Sequence, residues 1–524
     1  MKADTLRKYL VVHTWTGILS SLMLFVAFYA GGISMFAPEI THWARIEPAR
    51  VGASADADAL AAAFFAAQPK TARATLVLPS EDNAAPFMRY KQDGREHRVE
   101  LDTAGQLRPL ADGGGETGGF VDHLHRKGGL PLPLDIAEPI IGIVSLVYAV
   151  ALISGVVVLL PSLLKDLFVL RIGRNVKRMW LDLHNLLGLA SLPFHIVMAL
   201  SAAVFGLHDW IYATQNALVY PQGLKGVEAQ SAPKRAPVTK DTSAWLPPSQ
   251  LVAQAKAAAP GFEPTALDYR DVGTPKAMAH VAGTDDQHFK RSARVGFALM
   301  DPATGQVFQS SYLPGQQNSG WAAMLSSFFS LHFGSYGGEP LRVLYAVLGM
   351  MGALLFYTGN VLWIETRTKR LRESGAAPQQ PRHVRWVASL NIGVCLGCVA
   401  GLSTAIASSR WLAAGPVSHE VLIHGAYYLV FVACLAYAFA RGAAGSTSGL
   451  LAVAAAATAL IPATSVLASA GWLPGLAKPY VHGFAFVDVL SAGGAELLAF
   501  LALRAQAKQT PLRSSNSTSS HHHA

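Results

Sequence analysis

Eight apolar runs, each long enough to cross a lipid bilayer, constrain what this chain can fold into. A spanning helix needs about 20 apolar residues and satisfies its own backbone hydrogen bonds. The runs cover residues 10–35, 138–161, 185–206, 341–364, 387–408, 419–440, 449–470 and 482–503. A hydrophobic content of 51% with only 14% charged residues agrees with this and argues against a soluble enzyme. We therefore predict a mainly α membrane protein with about eight transmembrane helices.

The positions of Lys and Arg predict the orientation of these helices, because short loops rich in these residues stay on the cytoplasmic side. Basic residues precede the first run and recur in segments 162–184 and 365–386 and in the tail, 504–524. Both chain ends are therefore predicted to be cytoplasmic, and the Ser-rich tail is predicted to be disordered. The net charge of +9 follows from this topology and does not indicate a nucleic-acid partner.

Two parts of the chain follow one pattern. In each part, a span begins with a His that is followed by a Gly four residues later. A long external segment comes next, and a second His directly precedes the following span. These histidines are His13 and His125 in the first copy and His184 and His332 in the second. Residues 1–161 and 185–364 are therefore predicted to be two repeats. Four additional spans follow, in residues 387–503.

The external segments, residues 37–136 and 207–340, are predicted to be two small α+β domains. Each opens with an Ala-rich amphipathic helix and continues in strand-like runs. Each also carries an Asp followed by a Gly, where Asp accepts backbone hydrogen bonds and Gly adopts a positive φ. The two turns run from Asp102 to Gly105 and from Asp301 to Gly305.

Histidines in or beside the apolar runs are the candidate functional residues, because an ionisable side chain within a membrane is costly. A neutral imidazole is a good axial ligand for haem iron, and a haem that is held on both faces needs two. The candidate haem ligands are His13, His125, His184, His195 and His332. His123 is interpreted as an exposed loop residue. Three histidines of the additional spans are interpreted as packing or interfacial residues, with a third cofactor or a quinone pocket as the alternative, namely His419, His424 and His482.

Depth along the spans predicts how the candidate ligands pair. His13 and His184 lie at the cytoplasmic ends of equivalent spans, so we expect them to bind one haem. His195 would lie on the same face of a continuous helix as His184, about 16 Å further along, which suits a second haem. Its partner is predicted to be His332 or His125. Alternatively, His125 pairs with His332 and His195 has another task.

The three cysteines lie in apolar runs and are interpreted as small buried side chains. They are Cys395, Cys398 and Cys434. Val399 follows the pair at 395 and 398, where covalent attachment of a c-type haem requires a His. Covalent haem c is therefore excluded at this position.

These motifs, in this order, resemble the PepSY-associated transmembrane family over residues 1 to about 370. The resemblance rests on the His-x-x-x-Gly opening of a span, the "LHR" segment before the next span and the Asp-Gly turns. Members of the family include bacterial inner-membrane proteins, among them ferric-siderophore reductases with two b-type haems. The resemblance therefore implies an inner-membrane haem b protein that passes electrons across the membrane to reduce a ferric siderophore in the periplasm.

The chain contains no motif for NAD, flavin or nucleotide binding. Electrons are therefore expected from membrane quinol or from a separate cytoplasmic reductase. Two other classes of function stay open. The external domains could bind a partner while the spans serve as anchors without haem, or the repeats could form a permease for a siderophore or peptide.

Overall fold

The structure of the protein, a computed structural model, describes most of the chain in segments. The described residues are 3–44, 54–69, 71–79, 85–92, 95–110, 117–163, 170–171, 175–220, 237–290, 295–310, 312–316, 320–373, 381–411, 419–470 and 481–509. The tail that is predicted to be disordered lies outside them from residue 510 onward.

Thirteen α-helices and eight strands are present among these residues. The helices are α1 (Ala3–Ser34), α2 (Ala37–Ala44), α3 (Ala57–Ala67), α4 (Thr117–Lys127), α5 (Leu134–Leu159), α6 (Val176–Ala190), α7 (Leu192–Leu218), α8 (Pro248–Ala258), α9 (Gly320–Phe333), α10 (Gly338–Glu373), α11 (Arg382–Ser409), α12 (His419–Ser469) and α13 (Val481–Gln509). The strands are β1 (Arg73–Val77), β2 (Phe87–Gln92), β3 (Arg95–Leu101), β4 (Leu107–Pro109), β5 (Glu263–Arg270), β6 (Met278–Thr284), β7 (Gly296–Met300) and β8 (Val307–Gln309).

The chain divides into two compact units. A helical unit comprises residues 1–46, 114–207 and 346–524, and a sheet unit comprises residues 47–113 and 208–345. The predicted external domains were therefore drawn too wide, because α2 and α4 belong to the helical unit.

Seven helices in the described part of the chain are long and apolar enough to cross a membrane, so the protein is a multi-pass membrane protein. The prediction was eight, and the difference lies in α12. This element has 51 residues and would be roughly 75 Å long if straight. It breaks at Gly442, where φ is 69°, and a Cβ on Gly449 would lie 3.1 Å from the hydroxyl of Tyr437. The chain therefore folds back, and α12 contains two of the predicted runs.

The third predicted span is not one continuous helix. α6 ends at Ala190, Ser191 has a φ of −106° and a ψ of 13°, and α7 begins at Leu192. Pro193 explains the break, because proline lacks the N–H that would continue the ladder and is tolerated in the first turn of a helix. α6 also begins at Val176, inside the segment that was predicted to be a cytoplasmic loop.

Four spanning helices of the helical unit pack through glycines. A Cβ on Gly206 of α7 would lie 2.6 Å from the Cα of Gly142 on α5. A Cβ on Gly349 of α10 would lie 2.9 Å from the Cα of Gly32 on α1. Small residues of this kind let membrane helices approach closely. Phe28 of α1 joins the two pairs, because its ring contacts Tyr148 of α5, Phe194 of α7 and Phe356 of α10.

The C-terminal helices α11 and α12 form a second cluster within the helical unit. Its buried core includes Ala400, Ala438 and Leu450, and Cys434 lies among them. All three cysteines are buried and free of disulfides, as predicted.

The sheet unit contains one antiparallel sheet of eight strands in the order β4-β3-β2-β1-β5-β6-β7-β8. β1 and β5 join at the centre, with Ala74 opposite Tyr269. The prediction of two separate α+β domains must therefore be corrected, because the two external segments contribute to one continuous sheet.

The two helices α3 and α8 cover one face of this sheet. Leu60 and Phe64 of α3 and Leu251 of α8 share one buried core with Leu76 of β1 and Leu267 of β5. Burial alternates along β6 and β7, as expected for a sheet with one covered face.

The two predicted turns are confirmed. The Asp102 carboxylate accepts hydrogen bonds from the N–H groups of Ala104 and Gln106, and Gly105 has a φ of 76°. In the second turn, which is one residue longer, the Asp301 carboxylate accepts hydrogen bonds from the N–H groups of Ala303 and Thr304, and Gly305 has a φ of 74°.

The uncovered face of the sheet carries His280 on β6, whose ring stacks on Phe297 at 5.7 Å. Burial, with the positive charge of Arg270, lowers the pKa of His280 to about 4. In the unfolded chain this pKa is about 6.5, so the unfolded state takes up the proton first as the pH falls. The stability of the sheet is therefore expected to fall between pH 7.5 and 5.5, by up to about tenfold in the unfolding equilibrium.

Replacing His280 by Gln is expected to remove this pH dependence. Amide hydrogen exchange of peptides from β5 and β6, corrected for the intrinsic effect of pH, would measure it. An equal loss of protection in the wild-type and His280→Gln proteins would contradict the prediction.

Candidate functional site

Four of the five candidate histidines lie in the helical unit. His13 lies on α1, His125 in the last turn of α4, His184 on α6 and His195 in the first turn of α7. His332 lies in the last turn of α9, within the sheet unit, where its ring contacts Phe333 at 5.1 Å.

The structure brings His13 and His184 together. Their ring centres are 6.2 Å apart, with an angle of 65° between the ring planes. Two imidazoles that bind one iron from opposite sides, through bonds of about 2 Å each, have ring centres about 6 Å apart. Both rings are half-buried. The spacing of the pair therefore suits one metal centre between them.

Each of these rings is oriented by a neighbouring spanning helix. Nδ1 of His13 donates to the carbonyl of Ala151 on α5 at 2.8 Å. Nδ1 of His184 lies 3.2 Å from the carbonyl of Leu355 on α10 and 3.1 Å from the hydroxyl of Thr358. A carbonyl can only accept, so Nδ1 carries the proton and Nε2 keeps its lone pair. This is the tautomer that metal-binding histidines use.

A glycine stands four residues after each accepting carbonyl. In a helix, the carbonyl of residue i points toward residue i+4, so a side chain there would obstruct the imidazole. A Cβ on Gly155 would lie 2.8 Å from Cε1 of His13, and a Cβ on Gly359 would lie 3.3 Å from Cε1 of His184. The glycines therefore make room for the two rings.

His125 has the same arrangement further along α1. Its Nδ1 donates to the carbonyl of Ala27 at 2.7 Å, and a Cβ on Gly31 would lie 2.8 Å from that nitrogen. Ala27 lies roughly 20 Å beyond His13 along the helix axis. The candidate histidines of the helical unit therefore occupy at least two levels.

His195 is completely buried, with 0% exposure. Its Nδ1 lies 2.6 Å from the hydroxyl of Tyr148, and the rings of Phe28 and Phe356 lie 5.5 and 6.4 Å away. Its Nε2 is buried without a hydrogen-bond partner. The helix breaks at Ser191, so His184 and His195 lie on two successive helices, and the spacing of about 16 Å, which assumed one continuous helix, stays a prediction.

Comparison with known proteins identifies the family. A family model described as "PepSY-associated TM region" matches residues 10–366. The chain belongs to the PepSY-associated TM family. The protein is also similar to the "Uncharacterized protein PA4219" of Pseudomonas aeruginosa, with 26% identity over 57% of this chain and 76% of the relative. The matched region includes all five candidate histidines of this PepSY-associated TM protein, whereas α11, α12 and α13 lie beyond it.

The roles of several site residues were not predicted from the sequence. Tyr148 and the glycines at 31, 155 and 359 contact the histidines from other helices, and nothing in their local sequence indicates those contacts. The one available signal is that Gly155 and Gly359 end the short motifs "ISG" and "YTG" at corresponding places in the two copies.

Replacing Gly155 by Ala is expected to displace His13 from the Ala151 carbonyl. Overpacking of this kind costs about 1–3 kcal/mol, which corresponds to roughly tenfold weaker retention of a group bound to His13. The group expected from the sequence is haem, so retention is measured as haem content per chain after purification and dialysis. Gly493→Ala is the matched control, because a Cβ on Gly493 of α13 would have no neighbour within 4 Å. Equal haem contents in the two variants would contradict the prediction.

Proposed function

We propose that this protein is an inner-membrane haem b protein that passes electrons across the membrane to reduce a ferric siderophore in the periplasm. The observation that carries the proposal is the pair of His13 and His184, with ring centres 6.2 Å apart and each Nδ1 hydrogen-bonded to a neighbouring helix. Such a donor set suits an iron porphyrin that is held on both faces.

The surroundings of the pair fit a planar group. Gly17 lies one turn beyond His13, and a Cβ there would have no neighbour within 4 Å. Gly188 lies one turn beyond His184, and a Cβ there would meet only Leu355, at 3.4 Å and more. Both helices thus present a flat surface beside the imidazoles.

A second haem is proposed at the level of His125 and His195. The unpartnered Nε2 of His195 supports this, because a buried polar atom normally has a partner. His125 supports it through the same Nδ1-to-carbonyl contact that orients His13 and His184. His125 contacts α1 at Ala27, and His195 contacts the neighbouring Phe28. His195 also contacts Phe356 of α10, next to the Leu355 carbonyl that lies near His184, so its ring lies between the two levels.

A b-type haem bound at these levels would carry one electron at a time by cycling between Fe(III) and Fe(II). The protein holds the imidazoles in one tautomer and makes them more basic through the Nδ1 hydrogen bonds. Phe28 and Phe356 pack at 5.1 Å beside His195 and exclude water from the interior. One electron per iron, supplied by quinol or by a cytoplasmic reductase, reduces the chelated Fe(III) to Fe(II).

The sheet unit supplies a surface for an anionic chelate. On the uncovered face, Arg89 lies opposite Thr75, and Thr75 lies opposite Asp268 across the central strands. Arg73 and Arg270 both form ion pairs with Asp268. Burial opposes ionisation of Asp268, but the hydrogen bonds from the two arginines outweigh it and lower its pKa. Arg73, Arg89 and Arg270 therefore outnumber Asp268 at the central strands and favour an anionic ligand.

The proposal is tested with detergent-purified protein. Oxidised and dithionite-reduced spectra, with pyridine haemochrome quantitation, are expected to show about two b-type haems per chain. The reduced protein, mixed anaerobically with a ferric siderophore, is then expected to be reoxidised while a ferrous chelator detects Fe(II). Protein that stays colourless when expressed with added haem would contradict the proposal and favour a haem-free binding protein or a permease.

A further inference from the structure

A cluster of three potential metal ligands lies outside the haem levels. One ligand atom each from His123, Glu420 and His424 lies within 4.8 Å of the other two. His123 is on α4 and is half-buried, so the sequence-based interpretation of this residue as an exposed loop residue was wrong. Glu420 and His424 are on α12. The cluster thus joins the family region to the additional C-terminal helices.

The spacing of Glu420 and His424 along α12 brings their side chains together. Residues four apart on a helix lie on the same face, one turn from each other. Nδ1 of His424 donates to the backbone carbonyl of Glu420 at 2.8 Å. This carbonyl can only accept, so the proton is on Nδ1 and Nε2 of His424 keeps its lone pair. The Glu420 carboxylate and this nitrogen can then bind one ion together.

Packing between α4 and α12 positions the third ligand. The ring of Phe120, one turn before His123, lies 4.8 Å from the ring of His424 and 5.6 Å from that of Tyr427. The hydroxyl of Tyr428 donates to the carbonyl of Leu130, just after α4, at 3.0 Å. These contacts hold the two helices together on both sides of the cluster.

We propose that His123, Glu420 and His424 bind a divalent first-row transition-metal ion. Two imidazole nitrogens and one carboxylate oxygen form a donor set for Zn²⁺ or Fe²⁺, and three protein ligands leave coordination positions open. Ligand atoms around such an ion are about 3.3 Å apart, so side-chain rotation is sufficient to close the site.

Fe(II) is assigned as the physiological ion, because the proposed reduction of a ferric chelate forms Fe(II) and the donor set of the site accepts this ion. The assignment of Fe(II) rests on the proposed function, whereas the existence of a divalent-metal site does not.

Zinc binding to the full-length, purified protein tests the site without any redox reaction. All variants carry Ala in place of His521, His522 and His523, so that these histidines cannot bind metal. Equilibrium dialysis with Zn²⁺ alone is expected to show a site that weakens at least about tenfold in His123→Ala and in Glu420→Gln. Glu420→Gln keeps the shape of the side chain, and His383→Ala serves as the control for loss of an exposed His elsewhere. Haem content is measured on the same samples.

Each outcome decides the proposal. A zinc affinity that is lowered in both site variants and unchanged in His383→Ala, with unchanged haem content, supports the site. Zinc binding that is equal in all variants, or absent from the starting protein at about 100 μM free Zn²⁺, overturns it. Because zinc binding is measured independently of colour, a colourless protein would count against the haem proposal alone. Anaerobic Fe²⁺ in place of Zn²⁺ then tests the assigned ion.

Discussion

The His184→Ala protein is expected to retain about half of the haem of the wild-type protein and to lose electron transfer to an external ferric chelate. Removal of one imidazole leaves His13 as the single ligand of the haem that is proposed between the two rings, whose centres are 6.2 Å apart. The haem at this level would then be lost during purification, while the level of His125 and His195 stays intact. Haem per chain and the rate of chelate reduction in vesicles that are supplied with electron donor on the opposite side measure the two effects.

Thr358→Val is the matched variant for this test. It removes the hydroxyl that lies 3.1 Å from Nδ1 of His184 but leaves the Leu355 carbonyl in place. Haem content should therefore be preserved, with a midpoint potential that rises by tens of millivolts, because a less basic imidazole stabilises Fe(III) less well. A His184→Ala protein with the full haem content would refute the assignment of the pair.

The His195→Ala protein is expected to lose the other haem and to keep the one between His13 and His184. The physical reason is the Nε2 of His195, which is buried without a partner and has its ring fixed by Tyr148. An iron ion bound to Nε2 would give this nitrogen a partner. If His195 only packed, Nε2 would stay buried without a partner, which costs free energy. Low-temperature difference spectra of His184→Ala and His195→Ala should each show one set of bands, and the two sets should differ in position.

Two further variants test which residues bind and orient the second proposed haem. Tyr148→Phe should keep the haem and raise its potential, since a His195 that binds iron through Nε2 would carry its proton on Nδ1 and would lose the Tyr148 oxygen as the acceptor. His125→Ala should lose the same haem as His195→Ala if both residues bind it. Full haem content in His195→Ala would show that His195 is a packing residue, and the same measurement on His332→Ala then tests the remaining prediction from the sequence.

The sequence predicted the meeting of His13 and His184 because depth and order along the spans contain that information. It did not predict the break at Ser191, because an apolar run with a proline near one end is also compatible with a single kinked helix. The contacts of glycines with the histidines were not predicted either, for a related reason. A lone glycine in a membrane helix most often serves helix packing, and its contact with a histidine depends on which helices are neighbours.

Long-range pairing accounts for the other differences. The two external segments each carried recognisable helices, strands and turns, but their local patterns did not specify that β1 would pair with β5. Likewise His123 and His424 are about 300 residues apart, and neither lies in a metal-binding motif. The packing of α4 on α12 brings them together, and no sequence spacing encodes that packing.

The pairing of β1 with β5 also determines what happens when the protein is produced as two separate parts. Residues 1–161, if produced alone, would contain four strands that end in β1 as an unprotected edge, and the remainder of the chain would expose β5 in the same way. Exposed edges of this kind pair with any compatible strand and promote aggregation. Co-expressed halves should therefore reassemble through these two edges, whereas either half alone should be degraded or form homodimers.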